Sequence, residues 1–435
     1  MINAKKGKPV SAHQQELFGG SALSAKLPPI DRQSGLAHLK EFAPYAGKAY
    51  AASRNFDKGQ SRHVAVSRLS AHLRRRSVTE EEVLYEILGH HHAADGEKFI
   101  LELYWRAYFK GWLANRPQIW TEFLSYQMAD TDHPAYQQAI HGNTGIECFD
   151  SWVDELKNTN YLHNHARMWF ASIWIFTLGL DWQAGAAFFA TYLRDFCPAS
   201  NTLGWRWVAG LHTHGKHYLA TADNIAKFTE NRFSPTGQLN EQADAISGAA
   251  HPPAQFEFFE TDIDSAPYIL LATAEDCHLE SLALPHMPAA IISLPEKMGD
   301  RGWQENNQPM RSDRMLLLDK LAIADSAERA SRYFNCPHHD LTDYADGAVL
   351  ADKLEAVANS YQAKQIIAGY QGVGFWQTHL DRLSQMMPTC KIGYVMRDYD
   401  QATIKVATKG FFAFKAHIPD WLGALISKKN SQPSG

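Results

Sequence analysis

The hydrophobic pattern of this 435-residue chain changes period once, and that change limits the fold more than any single motif does. From Gly35 to about Phe233 apolar residues recur at helical spacing. Ile100, Leu101, Tyr104, Trp105, Tyr108 and Phe109 follow the i, i+3, i+4 rule, and Trp152, Leu156, Met168, Ile173, Ile175 and Leu178 continue it. Beyond about Ser265 short apolar runs (Tyr268 to Thr273, Ala289 to Leu294, Gln365 to Ala368, Ile392 to Met396) alternate with helical stretches such as Met315 to Tyr333. That alternation predicts a parallel sheet with helices on its faces. The stretch between, rich in Pro, Gly, Gln, Asp and Glu and including Pro252-Pro253, has linker chemistry. A single core stops growing near ~250 to 300 residues, so two domains are expected. Their bounds are a flexible leader at 1–30, an all-helical domain at 31–235, a linker at 236–265, an α/β domain at 266–425 and a flexible tail at 426–435.

Charge and cysteine usage exclude several classes of function. The formal net charge is -5, so no global basic field draws the chain to a polyanion and any nucleic-acid contact is a local patch. Met1 to Val10 carries lysines with no apolar segment behind them, which fits neither a secretory signal nor an anchor. No apolar run reaches the ~18 residues that span a bilayer. Cys148, Cys197, Cys277, Cys336 and Cys390 are widely spaced with no CxxC pair, which argues against disulfides, structural zinc and an iron-sulfur cluster. A cytoplasmic protein is the simplest expectation. His90-His91-His92 looks metal-like, but three successive side chains diverge, and no metal site is expected there.

Glu102, Trp105 and Arg106 stand at i, i+3 and i+4, so a carboxylate, an indole and a guanidinium share one helix face. Alone they read first as a surface ion pair beside a core ring, and only second as a ligand pocket. Asn164, Arg167 and Met168 repeat the spacing on a strongly apolar helix, where desolvated polar groups need a partner or a ligand. Asp181 precedes Trp182 as a helix N-cap should, its carboxylate accepting free backbone N–H groups.

Read in order, Tyr50-x-x-x-Arg54-x-Phe56, Ser67-Arg68-Leu69-Ser70, Glu102-x-x-Trp105-Arg106, Thr144-Gly145, His163-Asn164-x-x-Arg167-Met168, Asp181-Trp182 and Gly204-Trp205-x-Trp207 form a series. The series resembles that of DNA photolyases and cryptochromes over about residues 31 to 235, nearly all of that family's FAD domain. The resemblance implies an all-helical photolyase-type FAD domain followed by a parallel-sheet, Rossmann-like α/β domain, an order reversed relative to the usual family.

It also implies roles, residue by residue. Tyr50, the Ser67, Arg68, Leu69, Ser70 turn and Arg106 match positions at the flavin phosphates, where hydroxyls, backbone N–H groups and a planar guanidinium suit an anion. Asn164, Arg167 and Asp195 match residues around the isoalloxazine and ribose, and Asn201 the position facing flavin N5. Trp182 and Trp205 match the inner members of the chain that passes electrons to excited flavin. Its outer member has no clear counterpart, with Trp120, Tyr126 and Tyr136 as candidates. Glu102, Trp105, Met168 and Trp207 match residues lining the pocket for a flipped cyclobutane dimer, and Arg54 a DNA-phosphate contact. Arg74-Arg75-Arg76 either extends that patch or is a solvated helix end.

The expected function is a carbon–carbon lyase, a photolyase splitting cyclobutane pyrimidine dimers by electron transfer from excited reduced FAD. The alternative is a cryptochrome-like photoreceptor without repair, signalling to a protein partner. A third reading, a dark flavoprotein with a nicotinamide donor, has only Gly369-Tyr-Gln-Gly372-Val-Gly374 behind it, with Gln377 where the third glycine of the dinucleotide fingerprint belongs. A second antenna pigment in the α/β domain is implied, with no residues assignable to it. Val66 and His165 depart from the family pattern, and His212, His214 and His217 read first as satisfied loop histidines and second as proton relays or base contacts near the flavin.

Overall fold

The computed structural model describes residues 29–59, 66–126, 132–213, 215–254, 256–258, 260–295, 311–344 and 346–431. The expected leader, up to residue 28, lies outside them. Among the described residues of the first half, the α-helices are α1 Arg32–Phe42, α2 Lys48–Ser53, α3 Ser70–Arg75, α4 Glu80–His90, α5 Glu97–Ala114, α6 Gln118–Ser125, α7 Pro134–His141, α8 Glu147–Thr159, α9 Asn164–Ser172, α10 Trp182–Tyr192, α11 Pro198–Ala209 and α12 Ala222–Phe228. A single π turn, Ile173–Thr177, follows α9. The indoles of Trp152, Trp169 and Trp174 are fully buried in the main helical core.

The second half holds a parallel sheet of β1 Tyr268–Ala272, β2 Ala290–Ser293, β3 His338–Asp340, β4 Gln365–Gly369 and β5 Lys391–Val395 in the order β3-β2-β1-β4-β5. Helices α13 Asp313–Phe334, α14 Gly347–Ser360 and α15 Phe375–Met386 accompany it. β1 and β2 are wholly buried, as expected of parallel strands covered on both faces, which is why they read as unbroken apolar runs. β3 gave no such signal. It is a three-residue polar edge strand, His338-His339-Asp340, held by its pairing to β2.

Two expected boundaries shift. After β5 the chain forms α16 Asp398–Val406, α17 Phe411–Lys415 and α18 Ile418–Ser431, and Ala407, Phe414, Ile418, Leu422 and Leu425 pack with Leu39, Phe42, Tyr50, Tyr104 and Tyr108. The end of the chain thus joins the core of the helical half, and residues 426–431, expected as tail, continue α18. The stretch expected as linker has no helix or strand, yet it is bound on both sides. Ile246 N donates to Ala209 O, Ala254 N to Asn115 O, and Thr261 N to Tyr394 O along the edge of β5.

The sheet order reverses between β1 and β4, and the loops after those strands face the helical half. Open α/β sheets bind ligands at such a switch point. Here most of it is spent on docking. A Cβ on Gly369 would meet Asp276 Oδ2 at 2.3 Å, and one on Gly374 would meet Pro198 at 2.7 Å, so both glycines permit close approach of the two halves. A narrow cleft stays open, lined by Lys110, Cys197, Glu275, Gln371 and Gly372.

The arginine run is neither solvated nor a DNA patch. Arg74, Arg75 and Arg76 are buried between the halves because their partners lie far along the chain. Arg75 Nε donates to Asp319 Oδ1 at 2.6 Å and Arg76 Nη2 to Asp400 Oδ1 at 2.6 Å, while Arg74 pairs with Glu275 at 3.1 Å. Burial pushes the Asp400 carboxyl up, but the Arg76 guanidinium outweighs it and holds it at about 2.

Candidate functional site

The same arginines shape the site. Arg74 Nε donates to Phe196 O at 2.7 Å and Arg75 Nη1 to Arg194 O at 2.7 Å, so two guanidiniums bracket the backbone of Asp195. Arg167 Nη2 donates to Asp195 Oδ2 at 2.8 Å, and Arg167 Nε to Leu162 O. Burial opposes the charged form of Asp195, yet Arg167 more than offsets it and the carboxyl sits below its ordinary range. The Ser70 hydroxyl, on the first turn of α3, acts in the same direction. Two turns of chain later Asn201, buried on α11, donates Nδ2 to Ala186 O at 2.9 Å. Ser70 of α3 and Arg167 of α9 are thus gathered at Asp195, while Asn201 of α11 is tied to α10.

Other expected phosphate and ring residues are placed less completely. Arg68 is exposed with a left-handed backbone (φ 53), its guanidinium 5.5 Å from the Tyr161 ring centroid. Ser67 Oγ accepts from Leu69 N at 3.3 Å, which closes the turn into α3. Residues 60–65, which lead into that turn, lie outside the described residues. Arg106 Nη2 donates to Leu73 O at 3.2 Å and its Nε stands 3.5 Å from Glu80. Asn164 is exposed at the start of α9.

The residues expected to hold a lesion are arranged differently from the expectation. Tyr50, assigned to phosphate, donates its hydroxyl to Glu102, assigned to the base pocket. Arg54, assigned to DNA phosphate, donates Nε to the same carboxylate at 3.0 Å. Burial raises the Glu102 carboxyl above its ordinary value despite both donors. Trp105 is stacked face to face by Phe411 of α17, with ring centroids 3.6 Å apart and planes 11° apart, so one indole face is taken by the chain's own aromatic. Trp207 lies against Tyr218 at 5.6 Å, and Met168 is half-buried. His165 is packed on Trp169 at 4.2 Å, with Nδ1 2.9 Å from Asn55 O. His212 is boxed among Tyr108, Phe109 and Trp112, and burial holds its pKa down at about 4, which leaves it neutral near pH 7. His217 reaches Ala243 O, and His214 lies outside the described residues.

Trp205 is buried on α11 with Phe189 at 5.1 Å and Trp174 at 6.1 Å. It fits because α10 carries Gly185, where a Cβ would stand 2.2 Å from Trp205 Cη2. Trp182, also buried, stacks on Phe123 at 6.0 Å. Asp181 corrects the capping expectation. It occupies the N-cap position of α10, but its carboxylate caps nothing and accepts instead from the Tyr126 hydroxyl at 2.7 Å. The sequence reading missed Trp174, whose indole N–H donates to Asp181 O at 3.0 Å. The helix pattern around it reads as core, and only the π turn re-aims it.

Around Asp195 the Nε of Arg194 and the carboxylate Oδ1 of Asp195 itself are buried with no hydrogen-bond partner among the described residues. Buried polar atoms are rarely left so, and a polar ligand offering both donors and acceptors, as FAD does, fits them. The fold is a helical domain with an α/β domain docked on it.

Comparison with known proteins agrees. Residues 99–242 match the family model described as the FAD binding domain of DNA photolyase. Deoxyribodipyrimidine photo-lyase of Escherichia coli is 28% identical over 203 residues, 44% of this chain and 41% of that protein. Cryptochrome DASH of Natronomonas pharaonis is 29% identical over 160 residues, 36% of this chain and 32% of that protein. A class III photolyase from Agrobacterium tumefaciens has a similar solved structure, with TM-score 0.42 and 26% identity over 48% of this chain and 44% of that one. The chain spans less than half the length of the curated photo-lyases just compared and their relatives from Salmonella typhimurium and Streptomyces griseus. Residues 99–242 of the helical half thus carry the FAD binding domain described for DNA photolyase, and the half as a whole is similar to photo-lyases and cryptochromes. No described helix is long and apolar enough to cross a membrane.

Proposed function

We propose that this chain is a blue-light-driven FAD protein that acts on cyclobutane pyrimidine dimers in DNA, in the cytoplasm. The observations that carry the light-driven part are Arg167 on Asp195 and, on α11, the buried Asn201 one turn before Trp205, itself seated against Gly185. Ser70, Arg106, Arg167, Asp195 and Asn201 would hold the FAD, with Tyr50, Ser67, Arg68, Leu69 and Asn164 at its margin. When bound, FAD supplies light absorption and one-electron chemistry. Asp195, its carboxyl held down by Arg167, would offer a carboxylate oxygen to the bound group, and the buried Asn201 would line its neighbourhood. Trp205 and Trp182 would serve as oxidisable rings beside it.

The part played by DNA rests on Arg54, Glu102, Trp105, Met168 and Trp207, and on relatives of the helical half named deoxyribodipyrimidine photo-lyase. One observation favours the second reading, a photoreceptor without repair: Phe411 already covers the Trp105 face on which a base would stack. A repair assay separates the two. Purified full chain is illuminated with blue light in the presence of dimer-containing single-stranded DNA. Loss of dimers supports the lyase; bound FAD that photoreduces while dimers persist supports the receptor; absence of FAD contradicts both.

A further inference from the structure

The aromatic relay of this chain has its inner members in Trp205 and Trp182, and its outer end is where the structure adds something. Three features meet at Asp181. Its backbone oxygen accepts from Trp174, the next residue is Trp182, and its carboxylate accepts from Tyr126. Trp174 is also the tryptophan that stands beside Trp205, at 6.1 Å between centroids, and Tyr136 stands 6.0 Å beyond it. The π turn Ile173–Thr177 produces this placement: Leu178 N donates to Ile173 O, five residues back, and Leu180 N reaches Trp174 O. Single π turns inside helices frequently mark functional sites.

We propose that Tyr126, with Asp181 as its proton acceptor, is the terminal electron donor of this relay, reached from Trp205 through Trp174. The proposal rests on the light-driven reading given above. The step balances as follows. A tryptophan radical cation in the relay takes one electron from Tyr126 and returns to neutral indole. The phenolic proton moves along the existing 2.7 Å hydrogen bond to Asp181 Oδ2, leaving a neutral tyrosyl radical and a neutral carboxyl. No further oxidant or reductant is needed. Proton loss coupled to electron loss is what makes a phenol a good final donor, and it requires a base within hydrogen-bond reach.

Among the described residues the other candidates show no such base. Trp120 is buried at 3% exposure and its indole N–H meets no acceptor. Tyr136 packs edge-on against Trp174 in the core. Tyr126 is half-buried and Asp181 is exposed, so a dissolved one-electron reductant can reach the pair, the proton returning from Asp181 to the phenolic oxygen.

The test has a flavin-independent arm and a flavin-dependent one. In pulse radiolysis of the full chain, azidyl radicals oxidise tryptophan, and decay of that radical should be matched by growth of a tyrosyl radical. Tyr126→Phe should lose at least half of the tyrosyl amplitude or slow its growth at least tenfold, and Asp181→Asn should slow it and weaken its solvent deuterium isotope effect. In illuminated, freeze-quenched samples, paramagnetic resonance should show a tyrosyl radical in the parent and a tryptophanyl radical in Tyr126→Phe. Equal transfer in parent and Tyr126→Phe, with both folded by circular dichroism, overturns the proposal. Normal transfer by radiolysis with no photoreduction leaves the relay standing and removes the light-driven reading instead.

Discussion

Trp205 and Trp105 sit in the same helical half and have opposite surroundings. Trp205 is enclosed by rings that leave its indole N–H unbonded, with Asn201 one turn earlier on its own helix. Trp105 is half-buried, and a phenyl ring from α17, more than three hundred residues later, is stacked on it. The surroundings of Trp205 come from the helical half alone, while one face of Trp105 is taken by a ring from the far end of the described chain.

That contrast breaks first at the interface arginines. Arg75→Met removes one partner of a buried pair with Asp319 and frees the backbone beside Asp195, and it should destabilise the chain by ~3–5 kcal/mol. Denaturant unfolding checks this, and FAD retention should fall with it. If stability is unchanged while FAD is lost, the arginine serves the ligand and not the fold. The same network gives a pH window. The Asp400 carboxyl is held down at about 2 in the folded chain, below the ~3.9 of a free aspartate, so its contribution is complete above that value and is lost as pH falls toward 2. Thermal melts between pH 5 and 2 should show falling stability, with the slope reduced in Asp400→Asn.

Gly185→Ala tests the Trp205 side. A Cβ 2.2 Å from Trp205 Cη2 forces the indole to move and should cost ~1–3 kcal/mol. A melting temperature within error of the parent would mean that the Trp205 packing is looser than described. The Trp105 side is sharpened by Phe411→Ala. Loss of one aromatic stack should cost only ~0.5–1.5 kcal/mol of stability. By uncovering the indole it should raise affinity for dimer-containing single-stranded DNA several-fold, measured by fluorescence anisotropy. Unchanged affinity removes Phe411 as the reason for a closed base pocket.

Much of this was legible in the sequence and some was not. The change of hydrophobic period marked the helical half, four of the strands and the long helix α13, because each buries an apolar stripe or run. β3 escaped because pairing, not hydrophobicity, makes it a strand. The end of the chain was assigned to the α/β domain because nothing local in Phe411, Phe414 or Leu422 tells which core they enter. Arg74-Arg75-Arg76 was read as solvated or DNA-binding because its carboxylate partners at 275, 319 and 400 are visible only in three dimensions. Asp181 looked like a helix cap by position, and Tyr126, 55 residues earlier in the chain, captured it.

The central claim is that this half of the chain binds FAD and that Trp205 feeds its photoreduction. Time-resolved absorption of the purified full chain under blue light tests it directly, with Trp205→Phe beside the parent. The account predicts bound FAD in both, rapid reduction in the parent and at least tenfold slower reduction in Trp205→Phe. Absence of FAD from the parent, or identical reduction rates in the two, would contradict it.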